Sequence, residues 1–171
     1  MGSESTQAHR ALAAERGPLG VAIVTVSDSR TRENDTNRIF LEEAITKAGH
    51  RVAAYRLIRD EPLQVAAVLK ELAREPAELQ LWNGGTGISR RDTTYDVLCG
   101  KLEKVLPGFG EIFRMLSYEQ VGAAAMLSRA VAGTYKGKIV ISTPGSPAAV
   151  RLAWEKLIVT EMCHLAWEIG R

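Results

Sequence analysis

Apolar and polar positions change rhythm along this chain, and the rhythm marks out its elements. Val21-Ala22-Ile23-Val24-Thr25-Val26 is an unbroken run rich in β-branched residues, which predicts a strand covered on both faces rather than one half exposed. Asn34-Asp35 then supplies a helix start, and apolar positions at Ile39, Phe40, Leu41, Ala44 and Ile45 carry that helix towards Gly49. The same reading predicts a second strand over Val52 to Ile58, a second helix over Pro62 to Leu72 and a third strand over Leu79 to Trp82. Thr93 to Val105 has a helical pattern, Pro107-Gly108-Phe109-Gly110 interrupts it, and Glu111 to Leu116 reads as a further helical piece. Ser128-Arg129 reads as the end of a helix. Lys138 to Ser142 predicts another strand, after which Ser146 as N-cap and Pro147 at the first helical position open a last helix. Its apolar stripe runs through Val150, Trp154, Leu157, Ile158, Met162, Leu165 and Ile169.

Strands alternating with helices imply an α/β architecture of three layers, a mostly parallel sheet with helices on both faces, joined by right-handed crossovers. Residues 1–17 are polar and Ala-rich and end in Gly17-Pro18, so they read as a flexible N-terminal extension ahead of a single domain over 18–171. Ligands of such sheets bind beyond the carboxyl ends of the strands. The loops after Val26, Trp82 and Ser142 are therefore expected to share one edge.

Composition narrows the classes of function. A chain of 171 residues, 46% hydrophobic and 25% charged, is an ordinary globular domain able to bury a core without staples. Its net charge of +2, with no basic run, gives no ground for a nucleic acid or a membrane surface as partner. Cys99 and Cys163 lack CxxC or His-Cys spacing, so they predict buried free thiols in a reducing cytoplasm rather than a zinc site or disulfide framework. No apolar stretch approaches the roughly 18 residues of a membrane span, and the N-terminus lacks a signal-peptide core. A cytoplasmic location is expected. Met1-Gly2-Ser3-Glu4-Ser5-Thr6 and Asn34-Asp35-Thr36 fit loose lipidation and glycosylation patterns and are read as chance.

The stretch with most chemistry follows the third strand: Gly84-Gly85-Thr86-Gly87, then Arg90-Arg91-Asp92-Thr93-Thr94. Its glycines let the backbone approach a ligand and turn amides towards an anion. It is neither a GxGxxG dinucleotide turn nor a GxxxxGK[ST] loop, so any phosphate site is of another kind. Asp60, beyond the second strand, and Asp92, at a helix start, fall at the same edge. Each alone suits a cap or a turn, but jointly they could share one Mg²⁺. Arg90 and Arg91 could bind phosphate, and Thr143-Pro144-Gly145-Ser146 presents amides at a helix N-terminus as a second anion site. His9, His50 and His164 show no ligand spacing, the three tryptophans read as core or interface, and no Ser, Cys or His motif suggests covalent catalysis.

Taken together, Gly84-Gly85-Thr86-Gly87 with Arg91-Asp92, Pro107-Gly108-Phe109-Gly110-Glu111, Leu127-Ser128-Arg129 and Pro144-Gly145-Ser146 resemble, in order, the molybdenum cofactor biosynthesis proteins of the MoaB and MogA type. The resemblance runs from about Val21 to the C-terminus. Phe109 to Gly133, with Phe113-Arg114-Met115-Leu116-Ser117, looks closer to the MoaB branch. The resemblance implies molybdopterin adenylyltransfer: MgATP and molybdopterin bind, AMP passes to the pterin's terminal phosphate, and pyrophosphate leaves. It implies that Asp60 and Asp92 act through Mg²⁺ and that Gly84, Gly85, Thr86 and Gly87 line the phosphate region. Ser128, Gly145 and Ser146 would line the pterin side, and Ser27 and Asp28 the pocket rim. The implied partners are molybdopterin, ATP, other molybdenum cofactor enzymes and further copies of the chain in a homotrimer or a hexamer of two trimers. Two alternatives stay open. A non-catalytic pterin-binding or scaffold protein would bind pterin without consuming ATP, and a generic Mg²⁺-dependent nucleotide enzyme would turn over ATP without pterin.

Overall fold

In a computed structural model, which describes residues 17–170, the apolar run after Pro18 forms β1 (Gly20–Val26), buried at every position. The proposed extension over 1–17 lies outside the described residues apart from Gly17. The other strands are β2 (Arg51–Ile58), β3 (Leu79–Asn83), β4 (Lys104–Val105), β5 (Val131–Tyr135) and β6 (Lys138–Thr143). They form one sheet in the order β2-β1-β3-β6-β5-β4. β2, β1, β3 and β6 run parallel, and β5 and β4 are added antiparallel at one edge.

Side chains alternate across the sheet, so each central strand feeds two cores. Val21, Ile23, Leu79, Leu81, Ile139 and Ile141 pack on one face with Leu41 and Ile45 of α1 (Thr36–Lys47) and Phe113 of α4 (Pro107–Val121). The C-terminal helical stretch covers the same face: α5 (Pro147–Ala153), a π-helical turn over Trp154–Ile158, and α6 (Val159–Ile169). Ala22, Val24, Val26, Trp82 and Val140 face the other way, against Val65, Leu69 and Leu72 of α2 (Pro62–Leu72) and Leu98 of α3 (Thr94–Cys99). Helices thus cover both faces of a mostly parallel sheet, as the alternating pattern predicts.

Three local expectations are corrected. The helix expected over Thr93 to Val105 is only α3; it ends at Gly100, and Lys104 and Val105 pair antiparallel with Thr134 and Gly133 as an edge strand. Pro107-Gly108-Phe109-Gly110 does not interrupt a helix but opens α4, because proline's fixed φ and missing N–H suit a first turn. Ser128-Arg129 follows a 3₁₀ stretch over Gly122–Leu127, and the residues after it form β5, a strand the pattern missed. β5 exists as half of a hairpin with β6, closed at Lys136-Gly137, both with positive φ. Cys99 and Cys163 are free but only half-buried. Among the described residues, no helix is long and apolar enough to cross a membrane.

Candidate functional site

The chain leaves β1 to form β2 on one side and returns to form β3 on the other, so β1 and β3 flank a switch point in the strand order. Loops diverge there and leave a crevice beyond the carboxyl ends. The loops after β1, β3 and β6 do share this edge. A cleft of about 320 Å³ opens on it, lined by Gly84, Gly85, Thr86, Gly87 and Asp92 from the β3 loop, Leu127 and Ser128 from the segment before β5, and Pro144 and Gly145 after β6.

Steric exclusion shapes the floor. Gly84 has φ +99°, and a Cβ there would collide with the Val26 carbonyl oxygen of β1. Gly85 has φ +65°, and its Cβ would strike the Thr94 hydroxyl and lie 2.6 Å from Asp60 Oδ2. Both positions combine a left-handed backbone with a close neighbour, so only glycine fits. The Gly84 amide donates to the Thr143 carbonyl at 3.1 Å, tying the β3 loop to the end of β6.

The two candidate aspartates hold different posts. Asp60 is 6% exposed, and its Oδ1 accepts from the Thr93 and Thr94 hydroxyls at 2.8 and 2.9 Å and from the Thr94 amide at 3.0 Å. It therefore caps the start of α3 from another element, while among the described residues Oδ2 receives only the shared Thr93 amide, at 3.2 Å. Asp92 Oδ2 accepts from the amide and hydroxyl of Ser89, closing the loop on itself, and Asp92 Oδ1 meets no donor among the described residues. Asp92 lines the cleft directly; Asp60 stands behind Gly85. Among the described residues no group of three His, Cys, Asp or Glu side chains is arranged to hold a metal.

Other predicted residues lie at the rim. Ser27 Oγ accepts from the Ser29 and Arg30 amides in a tight turn. Arg91 reaches both oxygens of Asp28, at 3.0 and 3.1 Å, and Glu61 at 2.7 Å. The guanidinium holds the Asp28 carboxyl below its ordinary range. Ser146 caps α5 by accepting from the Ala149 amide, and none of Ser27, Asp28, Arg91 and Ser146 lines the cleft. His50 is structural, accepting from the Leu19 amide at 3.1 Å, and burial lowers its pKa.

Several residues that the sequence analysis did not assign to the site organise it. Asn37, on the first turn of α1, donates to the Asn83 side-chain oxygen at 2.7 Å and to the Gly145 carbonyl at 2.8 Å, while Asn83 donates to Val24 O and Thr25 Oγ1. This buried chain holds three loops in register. Asp35 caps α1 and also receives Arg30 at 3.1 Å and the Tyr55 hydroxyl at 2.9 Å. Burial pushes its carboxyl up, but hydrogen bonds from Thr25, the Arg38 amide and Tyr55, with the Arg30 charge, bring it below its ordinary value. Arg129 donates from Nε to Thr86 O at 2.9 Å and from Nη2 to Gly87 O at 2.6 Å, and pairs with Asp96 at 2.8 Å. The nearest signal in the sequence was the Leu127-Ser128-Arg129 motif, from which the resemblance used only the serine.

Comparison with known proteins agrees with this fold. Residues 22–164 match the family described as "Probable molybdopterin binding domain". The molybdenum cofactor biosynthesis protein B of Bacillus cereus is 46% identical over 151 residues, covering 87% of this chain and 89% of the relative. A solved molybdenum cofactor biosynthesis protein B superposes with a TM-score of 0.86 at 45% identity, covering 90% of this chain and 97% of that one. The tungsten cofactor synthesizing protein MoaB from Pyrococcus furiosus superposes with a TM-score of 0.82 at 32% identity, over 90% of this chain and 98% of its own. By family match, sequence identity and fold, the chain belongs to the MoaB/MogA family of molybdenum cofactor biosynthesis proteins, on its MoaB side.

Proposed function

We propose that this protein adenylylates molybdopterin in the cytoplasm during molybdenum cofactor biosynthesis, using MgATP and releasing pyrophosphate. The observation that carries the reading is the convergence of the glycine turn, Asp92, Ser128 and Gly145 on one cleft beyond the carboxyl ends of β3 and β6. In the reaction, an oxygen of the pterin's terminal phosphate attacks the α-phosphorus of ATP. The bond from that phosphorus to the bridging oxygen of the β-phosphate breaks, and pyrophosphate departs with the electron pair.

In this reading the amides of the Gly84–Gly87 turn receive phosphate oxygens, Ser128, Gly145 and Ser146 line the pterin side, and Ser27 and Asp28 form the rim. Arg91 would exchange Asp28 and Glu61 for phosphate. Asp92 Oδ1 and Asp60 Oδ2 would hold Mg²⁺, since an oxygen-only pair with phosphates and water completing the shell suits that hard cation. Bound there, the ion would neutralise charge on the transferring phosphoryl group. Copies of the chain would assemble as a trimer, or a hexamer of two trimers, over the exposed Ile112 and Met115 of α4.

The test is turnover with MgATP and molybdopterin. Pyrophosphate and adenylyl-molybdopterin should appear together, and Asp92→Asn should slow their formation by about 100-fold or more with the fold intact. Pterin binding without pyrophosphate release would overturn the transfer and leave a pterin-binding protein. ATP consumed without any need for pterin would point to a different nucleotide enzyme.

A further inference from the structure

The Arg129 guanidinium grips two successive carbonyls of the glycine turn, Thr86 O through Nε and Gly87 O through Nη2. A trans peptide sets its N–H antiparallel to its C=O. Holding Thr86 O therefore turns the Gly87 N–H away from the guanidinium, and holding Gly87 O does the same to the Ile88 N–H. Neither amide meets a protein acceptor among the described residues. Thr86 and Gly87 line the cleft, whereas Ile88, the next residue of the turn, and Arg129 do not.

The guanidinium is itself held from behind. Nη1 pairs with Asp96 on the first turn of α3 at 2.8 Å, and its carbon sits 4.6 Å above the centre of the Tyr95 ring. Two carbonyls, one carboxylate and one aromatic face leave it little freedom, and its planar fork matches paired acceptors as a lysine ammonium cannot. The turn would otherwise be free to rotate its peptide planes, since it contains glycine on both sides of Thr86.

We propose that Arg129 is a positioning residue, which aims the Gly87 and Ile88 amides into the cleft as a two-donor cradle for a phosphate group of the anionic substrate. The assignment rests on the reading of this cleft as a phosphate site, and it names the donors and the side chain that orients them. Arg129 touches no substrate. It acts through the backbone, with its positive charge on the far side of the same peptides.

The probe is inorganic pyrophosphate, titrated into ¹⁵N-labelled full chain. In the wild-type protein the Gly87 and Ile88 amide resonances should shift on saturation, well beyond amides remote from the cleft. Arg129→Gln, which cannot bridge both carbonyls, should bind pyrophosphate about tenfold more weakly and lose those two shifts. Arg129→Lys keeps the charge but not the fork, so its affinity should stay below wild type. Unmoved Gly87 and Ile88 resonances in the saturated wild-type protein, a measurement that needs no variant to fold, would overturn the assignment. So would an Arg129→Lys variant that binds as tightly as wild type, since charge without the fork would then suffice. Wild-type shifts at both amides in a protein that transfers no AMP would refute the proposed activity while leaving the cradle standing.

Discussion

At Gly84 the backbone has no alternative residue, because the left-handed φ and the Val26 carbonyl oxygen exclude a side chain for separate reasons. Gly84→Ala should cost about 1–3 kcal/mol in urea unfolding and shift the floor of the cleft. Asp35 shows how much one side chain can carry: it is fully buried, caps α1 and receives Arg30 and Tyr55. Its folded-state pKa lies below the ordinary 3.8, so the stability it contributes is present above that value and is lost as pH falls through the lower, folded one. Asp35→Asn should therefore be less stable than wild type by about 1–3 kcal/mol at pH 7, with the gap narrowing below about pH 4 in urea titrations at both values. The helix start at Asp35 was legible from its neighbours in sequence. Its link to Tyr55, across 20 residues, was not.

Among the elements, α3 is the one whose existence depends most on a distant residue. The helix spans only Thr94–Cys99, its N-cap Thr93 makes no capping bond of its own, and Asp60 supplies the acceptor from the end of β2. So short a helix is marginal alone. Asp60→Ala should lower stability by about 1–2 kcal/mol through loss of that cap, whereas Asp92→Asn, on a loop, should change it by less than about 0.5 kcal/mol. Comparing the two by urea unfolding separates the structural post of Asp60 from the proposed role of both in holding Mg²⁺. The over-long helix read through Thr93 to Val105 failed for a related reason. Lys104 and Val105 become a strand only because Thr134 and Gly133 lie alongside them, and two residues are too few to show a period of their own.

Across the whole molecule, one surface does not suit water. Ile112, Met115, Tyr118 and Val121 of α4 are exposed, Ile112 and Met115 on the side away from the buried Phe113 and Ser117, and the adjoining turn adds Met126, which is 79% exposed, and Leu127. Apolar side chains exposed together along one helix and its following turn suit an interface, and further copies of the chain are the occupants proposed above. A double variant, Ile112→Glu with Met115→Glu, should shift the protein from trimer or hexamer to monomer in sedimentation velocity while its circular dichroism stays native. An unchanged assembly would place the interface elsewhere.

Local order in the chain was enough to establish β1, β3 and β6, the helices over Thr36–Lys47 and Pro62–Leu72, and the edge on which their loops converge. Burial on two faces and turn chemistry are expressed by consecutive residues, so a pattern can report them. The family resemblance was legible for the same reason, since its motifs are contiguous. Folding supplied what contiguity cannot express: Asn37 reaching Asn83 across 46 residues, Arg129 reaching the Thr86 carbonyl across 43, and β5 turned into a strand by its hairpin partner. Those contacts pair groups that are ordinary in their own neighbourhoods. Their meaning depends on a partner's distance and direction, which are set only once the sheet has brought its loops to one edge.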